Sequence, residues 1–241
     1  MFGDIRNQHG ERIDYTFHAG AEDSDLIILI GHGVTGNKDR PFVVSLAETL
    51  ASNGFPTIRF SFAGNGRSEG RFQDATISKE VDDLGSVMDA VSDRRIVYVG
   101  HSMGGAVGVL RASEDKRVQF LVSLAGMVHT KQFAEIEFGG EVPDEGVMWE
   151  DPDCPLSSAY MEDLRGIKTL VDCGESIDVP WLLVHGSDDD VVPIGDSEDI
   201  IAKANDKAEL LRIRGANHVF AEEHTATMTQ AVVDWLTKVT K

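Results

Sequence analysis

Short apolar runs along the chain alternate with longer stretches in which apolar residues recur every three or four positions. The runs are four to six residues long and rich in β-branched side chains, which indicates strands. We predict strands over residues 13–17 (at a sheet edge), 26–30, 56–60, 96–99, 119–124, 181–185 and 209–213. We predict helices from 39 to about 53, from about 78 to 91, one ending near 112, one near 194–203 and one from about 222 to 239. This order is typical of an α/β protein with a mostly parallel, doubly wound sheet and helices on both faces.

The alternation breaks once, between residues 127 and 178. This segment contains Gly139-Gly140, three prolines and many acidic side chains, which disfavour another pair of strand and helix. We therefore predict a short cap insertion at about 127–178 within a single domain formed by residues 1–241. A chain of 241 residues is long enough to bury one large core of this kind.

The net charge narrows the range of partners that the chain can bind. Lysine and arginine number 22 against 41 acidic residues, which gives a formal net charge of −19. Such a charge repels nucleic acid and anionic membrane surfaces, so we predict neither nucleic-acid binding nor membrane insertion. The first residues of the sequence are polar and the longest apolar runs are strand-sized, which predicts a soluble, cytoplasmic protein. The sequence leaves the oligomeric state open.

Cysteine and histidine positions bear on metal binding. Cys154 and Cys173 do not share a metal-ligand spacing, and the eight histidines include no H-E-x-x-H pair. A chain of this length also needs no disulfide framework. We therefore predict no metal and no cofactor, so that any hydrolysis must come from side chains.

The strongest chemical signal is Gly100-His101-Ser102-Met103-Gly104, which lies between a predicted strand and a predicted helix. The G-x-S-x-G pattern in this context is the nucleophile elbow of α/β-hydrolases, where glycines leave room for a tight turn that exposes the serine hydroxyl. A plain strand–turn–helix junction rich in small residues can contain the same pattern, and the remaining parts of the sequence weigh against that interpretation. Ser102 is therefore the predicted nucleophile.

A serine nucleophile needs a general base, and the base needs an acid that orients it. His218 precedes the last predicted helix, and a run of three aspartates, Asp188, Asp189 and Asp190, follows an earlier strand. The order serine, aspartate, histidine along the chain is the one that α/β-hydrolases use. We predict His218 as the base, and charge alone leaves the choice among the three aspartates open.

Acyl transfer also needs two N–H groups that bind the negatively charged oxygen of the tetrahedral intermediate. The segment H-G-V-T-G at 32–36 follows the second predicted strand, where such a loop is expected. We assign this role to the backbone N–H groups of Val34 and Met103, so that neither side chain is critical.

Five segments together resemble serine hydrolases related to monoacylglycerol lipases, to serine aminopeptidases of that superfamily and to bacterial cinnamoyl (feruloyl) esterases. They are H-G-V-T-G-N at 32–37, R-F-S-F-A-G-N-G-R-S at 59–68, G-H-S-M-G at 100–104, H-G-S-D-D-D-V-V-P at 185–193 and the element around His218. The H-G-x-x-D-x-x-V-P element of these enzymes implies that Asp189 is the acid. H-G-x-T-G-N and a short cap look most like the cinnamoyl-esterase branch, which implies a carboxylic-ester substrate.

In such enzymes the cap selects the substrate, so the resemblance also points to side chains within 127–178. Large apolar residues of this kind more often pack in the core than touch a ligand. The candidate substrate contacts are Phe133, Phe138, Trp149, Tyr160 and Met161.

The leading hypothesis is a cofactor-free carboxylesterase that cleaves small or aromatic, cinnamoyl-type esters through an acyl-enzyme on Ser102. The same groups can cleave thioesters, amides (as an amidase or peptidase) or carbon–carbon bonds, because the pocket sets the substrate. Two alternatives lie outside the enzyme class: a small-molecule receptor on a hydrolase scaffold, and an inactive interaction module.

Overall fold

The computed structural model describes residues 2–221 and 223–241, which form one sheet flanked by helices. Met1 and Glu222, the residue at which we predicted the start of the last helix, lie outside the described residues. The described strands are β1 (Tyr15–His18), β2 (Leu26–Gly31), β3 (Thr57–Phe60), β4 (Arg95–His101), β5 (Val118–Leu124), β6 (Trp181–Gly186) and β7 (Ala208–Ile213). The described α-helices are α1 (Pro41–Ser52), α2 (Ile77–Asp89), α3 (Met103–Glu114), α4 (Thr130–Phe138), α5 (Ser158–Ile167), α6 (Gly195–Ile201) and α7 (Glu223–Val239). None of these helices is long and apolar enough to cross a membrane.

The sheet runs in the order β1-β3-β2-β4-β5-β6-β7. β1 pairs with β3 in antiparallel fashion, and the remaining pairs of described strands are parallel. Successive side chains of β2 point to opposite faces, so that Ile27 and Leu29 pack with α2 and α3 whereas Ile28 and Ile30 pack with α1 and α7. The predicted fold class, a mostly parallel, doubly wound sheet with helices on both faces, is confirmed.

The ends of two elements show how local sequence sets their bounds. α1 begins at Pro41, whose fixed φ suits the first position of a helix and whose missing N–H has no partner there in any case. β1 begins two residues later than the predicted strand at 13–17. Ile13 instead packs into the core, and its N–H donates to the Ile5 carbonyl at 2.9 Å.

The segment between β5 and β6 contains α4, α5 and two short 3₁₀ helices, Met148–Glu150 and Val171–Ser176. α4 and α5 pack against each other. The ring centroids of Phe133 and Phe138 lie 6.0 Å apart, and those of Phe138 and Tyr160 lie 6.2 Å apart. All three rings are buried, so that this aromatic cluster stabilises the contact between the two helices.

Helix α2 carries two carboxyl groups into the core. Asp83 accepts hydrogen bonds from Asn7 Nδ2 at 2.7 Å and from the Ala63 N–H at 2.8 Å. Glu80 is fully buried, and neither of its carboxyl oxygens has a hydrogen-bond partner in the described part of the chain. Burial, together with the negative charge of Asp83, raises the pKa of Glu80 well above its usual value. The Glu80 carboxyl therefore keeps its proton to a higher pH than an exposed glutamate does.

Candidate active site

Ser102 lies at the sharp turn between β4 and α3. Its backbone has φ 54° and ψ −120°, a conformation that residues other than glycine rarely adopt. The Ser102 N–H donates to the Leu124 carbonyl at 2.9 Å, and the Ser102 carbonyl accepts from the Met127 N–H at 3.1 Å. These bonds hold the turn in its strained form. The hydroxyl makes no capping bond to α3, so the side chain is free for chemistry.

Two glycines let the loop at 32–36 approach this turn. A Cβ on Gly104 would lie 2.5 Å from the His32 carbonyl oxygen, and a Cβ on Gly33 would lie 2.7 Å from Ser102 Cβ. Both distances are shorter than real Cβ contacts, so a larger residue at either position would push the loop away from Ser102.

His218 follows β7, and its imidazole contacts a buried carboxylate. Nδ1 of His218 lies 2.9 Å from Oδ2 and 3.1 Å from Oδ1 of Asp189. Because an ionised carboxylate only accepts hydrogen bonds, Nδ1 carries the proton and Nε2 is left with a free lone pair. Of the three adjacent aspartates, the structure brings Asp189 to His218, whereas Asp188 and Asp190 are exposed.

The Asp189 side chain is fully enclosed and held from several sides. Its Oδ1 accepts hydrogen bonds from the N–H groups of Val191 and Val192 at 3.0 and 2.9 Å. Nε2 of His185, a fully buried side chain, lies 3.2 Å from Asp189 Oδ2. Burial disfavours the charged carboxylate, but hydrogen bonds from His185 and His218 outweigh it and lower the pKa of Asp189 below its usual value. The ionised carboxylate keeps His218 in one tautomer.

Ser102 and His218 line one cavity of about 610 Å³ at the carboxyl ends of the strands. Within residues 2–221 and 223–241, no hydrogen bond joins the Ser102 hydroxyl to His218; such bonds are often long without substrate and shorten when it binds. The large apolar side chains that line the cavity are Val34, Phe42, Trp149, Val191 and Val219.

The structure places one of the aromatic residues selected from 127–178 in this cavity. Trp149 lines it and is 42% exposed. Phe133, Phe138, Tyr160 and Met161 are buried in the core instead and do not line it. The physical reason is that α4 and α5 use these side chains to cover their own apolar faces, which leaves the intervening 3₁₀ helix, with Trp149, to line the cavity.

The N–H groups of Val34 and Met103 have no hydrogen-bond acceptor among the described residues. Met103 opens α3, where N–H groups of the first turn lack partners within the helix, and Val34 lines the cavity. The loop that carries Val34 is fixed by His32, whose Nε2 accepts from the Phe62 N–H at 3.1 Å and whose Nδ1 donates to the Gly33 carbonyl at 2.8 Å. Two unpaired N–H groups beside a nucleophile are suited to bind an oxyanion.

Arg40 also lines the cavity, and the sequence patterns did not point to it. It directly precedes Pro41 at the start of α1, and its Nη2 donates to the Thr35 carbonyl at 2.9 Å. One sequence feature could have pointed to Arg40. It follows the predicted oxyanion loop by a few residues, where the chain turns into a helix at the same edge of the sheet.

Two buried histidines near the site should make the fold sensitive to acid. Burial lowers the pKa of His32 from 6.5 to about 4, and burial together with the charge of His218 lowers the pKa of His101 from 6.5 to about 3. Below pH 6.5 the unfolded chain takes up protons at both positions while the folded chain does not. Each histidine should therefore lower the free energy of unfolding by roughly 2 kcal/mol between pH 7 and pH 5.

Urea unfolding at pH 7 and pH 5 measures this effect. In His32→Gln, the fall in the free energy of unfolding from pH 7 to pH 5 should be smaller by the contribution of one histidine. This comparison holds even if the substitution changes the stability at both pH values. A variant that shows the same difference as the unsubstituted protein would contradict the assignment.

Comparison with known proteins adds a family match to this geometry. The sequence matches the family model described as alpha/beta hydrolase fold over residues 27–147, half of the chain. A palmitoyl-protein thioesterase ABHD10, mitochondrial, from Bos taurus is 28% identical over 177 residues, which cover 67% of this chain and 56% of that protein. The chain thus spans little more than half the length of this curated relative.

Solved structures resemble the whole chain. The structure of Est1E from Butyrivibrio proteoclasticus with ferulic acid bound is 25% identical, covers 98% of both chains and superposes with a TM-score of 0.87. Alpha/beta hydrolase domain-containing protein 10 from mouse is 21% identical, also covers 98% of both chains and has a TM-score of 0.80. The second likeness is one of fold.

Proposed function

Because the chain belongs to the α/β-hydrolase fold family, we propose that it is a serine hydrolase that cleaves carboxylic esters. In this proposal Ser102 is the nucleophile, His218 the general base and Asp189 the acid that orients the base. The observation that supports it most is that His218, held by Asp189 with its Nε2 free, lines the same cavity as Ser102. We treat residues 127–178 as a cap within one domain.

The proposed reaction has two similar halves. His218 Nε2 takes the proton of the Ser102 hydroxyl as its oxygen attacks the ester carbonyl, and the N–H groups of Val34 and Met103 stabilise the oxyanion. His218 then gives that proton to the leaving alcohol, and the C–O bond to the alcohol breaks. In the second half, His218 takes a proton from water as the water oxygen attacks the acyl-enzyme. It then returns that proton to the Ser102 oxygen as the bond between the acyl carbon and that oxygen breaks and the acid is released. Asp189 stays ionised and stabilises the imidazolium that forms in each half.

The cavity favours a small ester with an apolar or aromatic part. Its volume of about 610 Å³ is typical of a small-molecule site, and its walls carry Phe42 and Trp149. The likeness to Est1E, whose structure holds ferulic acid, supports an aromatic, cinnamoyl-type acyl group.

A thioester is the second candidate substrate, because the relative from Bos taurus is named a thioesterase. Attack on a thioester passes through the same tetrahedral intermediate, so the same Ser102, His218 and oxyanion groups suffice. Amides need stronger protonation of the leaving group.

Hydrolysis of graded esters tests the proposal. We expect the purified protein to turn over 4-nitrophenyl esters from acetate to decanoate and methyl ferulate, with Ser102→Ala protein as the blank. A thioester series on N-acetylcysteamine tests the second candidate in the same assay. A fluorophosphonate probe should label the protein at Ser102, because only an activated serine reacts with it.

The outcomes separate the hypotheses. Turnover that is lost in the blank supports a serine esterase, and the preferred chain length reports the size of the acyl pocket. Labelling of Ser102 without ester or thioester turnover would shift the proposal to amides or carbon–carbon bonds. The absence of both labelling and turnover would contradict the proposal. It would favour a receptor or an inactive interaction module.

A further inference from the structure

The charge of the cavity differs from that of the rest of the molecule. Acidic residues number 41 in the whole chain, yet none of the described residues that line the cavity is acidic. The lining does contain Arg40, the one lysine or arginine among these described residues. A pocket with a permanent positive charge in a strongly negative protein is suited to an anionic group on the ligand.

The Arg40 guanidinium is available to a ligand. In the described ranges, no carboxylate lies within 4.0 Å of it, unlike most arginines of the chain. One Nη2 bond goes to the Thr35 carbonyl and holds the group beside the loop at 32–36, while the other N–H groups remain unpaired. The side chain is exposed towards the cavity, so a ligand can reach these donors.

The charge of Arg40 acts on a group in the oxyanion loop and on one in the cap segment. It opposes protonation of His32 in the oxyanion loop, and it opposes the rise that burial causes in the pKa of Cys154 in the cap segment. The guanidinium is therefore near enough to both the oxyanion loop and the cap segment for its charge to act on them.

We propose that Arg40 selects esters that carry a carboxylate as well as an apolar part. The carboxylate accepts two charge-assisted hydrogen bonds from the planar guanidinium, and the apolar part packs on Phe42 and Trp149. This inference rests on the proposed ester hydrolysis and narrows its substrate class. The carboxylate lies on either the acyl or the alcohol portion, and the two are separated below.

Arg40 has a second role that the experiment must separate from recognition. Its bond to Thr35 supports the loop that carries Val34, so a substitution can slow every ester equally. A loss through charge recognition differs, because it changes the ratio of kcat/KM between a charged ester and its neutral analogue. The ratio is therefore the readout.

For the acyl side, the test pair is mono(4-nitrophenyl) adipate and 4-nitrophenyl 5-carbamoylpentanoate. The acyl chain of the first ends in a carboxylate, and that of the second ends in a neutral amide. The unsubstituted protein should prefer the adipate by about tenfold or more in kcat/KM. In Arg40→Gln this preference should fall to near one, and Arg40→Lys should keep part of it. Arg165→Gln, which removes an exposed positive charge outside the cavity, is the matched control and should leave the ratio unchanged.

For the alcohol side, the pair is 4-butyryloxybenzoate and 4-butyryloxybenzamide, measured with the same variants. A preference that depends on Arg40 in either pair supports the proposal. The pair that shows it tells whether the recognised carboxylate lies on the acyl or on the alcohol portion of the ester. No preference in either pair, or a preference that survives Arg40→Gln, overturns it. The neutral esters of both pairs report ester hydrolysis independently of charge recognition. If they are hydrolysed but the ratio of kcat/KM does not depend on Arg40, only the proposed selection is refuted. If no ester is hydrolysed, the proposed function itself is refuted.

Discussion

Replacing Ser102 with alanine should lower kcat for ester hydrolysis by on the order of 10⁴-fold or more, because the acyl-enzyme can no longer form. The fold should survive the change. The Ser102 hydroxyl makes no capping bond to α3, and alanine keeps the backbone bonds to Leu124 and Met127 that hold the turn. Steady-state hydrolysis of the preferred 4-nitrophenyl ester measures the loss, and thermal unfolding checks the fold.

Ser113→Ala is the matched control, since it makes the same substitution on the same helix away from the cavity. It should retain full activity. His218→Ala combined with Ser102→Ala should be scarcely slower than either single variant, because residues that act as one unit are not additive. Near-normal turnover by Ser102→Ala would rule out the serine mechanism.

Asp189→Asn should lower kcat by roughly 10²- to 10⁴-fold while the protein stays folded. Asparagine keeps an oxygen that accepts from the Val191 and Val192 N–H groups, but its amide N–H₂ then faces His218 Nδ1. Nδ1 must then accept instead of donate, which moves the ring proton to Nε2 and removes the lone pair that takes the serine proton. Steady-state kinetics of the variant against the same ester check this.

The two neighbouring aspartates supply the controls. Asp188→Asn and Asp190→Asn make the same chemical change at exposed positions that do not contact His218. Both should retain activity near that of the unsubstituted protein. If either lost activity while Asp189→Asn did not, the orienting acid would have to be reassigned.

The fold could be predicted from the sequence because its signals are local. Buried parallel strands such as β2 and β4 are continuous apolar runs bounded by turn residues, and those runs are visible without any knowledge of their neighbours. The G-x-S-x-G turn between β4 and α3 is equally local. That Ser102, Asp189 and His218 lie close together follows from topology, since each follows a parallel strand and the carboxyl ends of such strands share one edge of the sheet.

The lining of the cavity could not be predicted in the same way. Phe138, Tyr160 and Trp149 all belong to one segment and look alike in sequence, yet the structure buries the first two and exposes the third to the cavity. Which way such a side chain points depends on how α4 and α5 pack, and periodicity does not encode that packing. The place of Arg40 in the lining depends instead on how the loop at 32–36 turns into α1.

His185 shows an intermediate case. It opens the H-G-S-D-D-D-V-V-P segment at 185–193, and it is fully buried. The structure adds that Nδ1 lies 2.7 Å from Ser197 Oγ and Nε2 lies 2.8 Å from the Val192 carbonyl, in addition to its approach to Asp189. A buried histidine with all partners satisfied thus connects β6 and α6 to the carboxylate that orients His218.

The buried Glu80 makes folding a reaction that consumes a proton. Over the pH range in which the unfolded chain has released this proton and the folded chain still holds it, each molecule that folds must take one hydrogen ion from the solvent. His32 and His101, whose pKa values are lowered by folding, release protons on folding, in the opposite sense. The stability that Glu80 contributes is complete in acid and is lost as the pH rises, opposite in sign to the effect of His32 and His101. As the pH rises from acid values, the two histidines therefore add stability to the fold while the glutamate withdraws it.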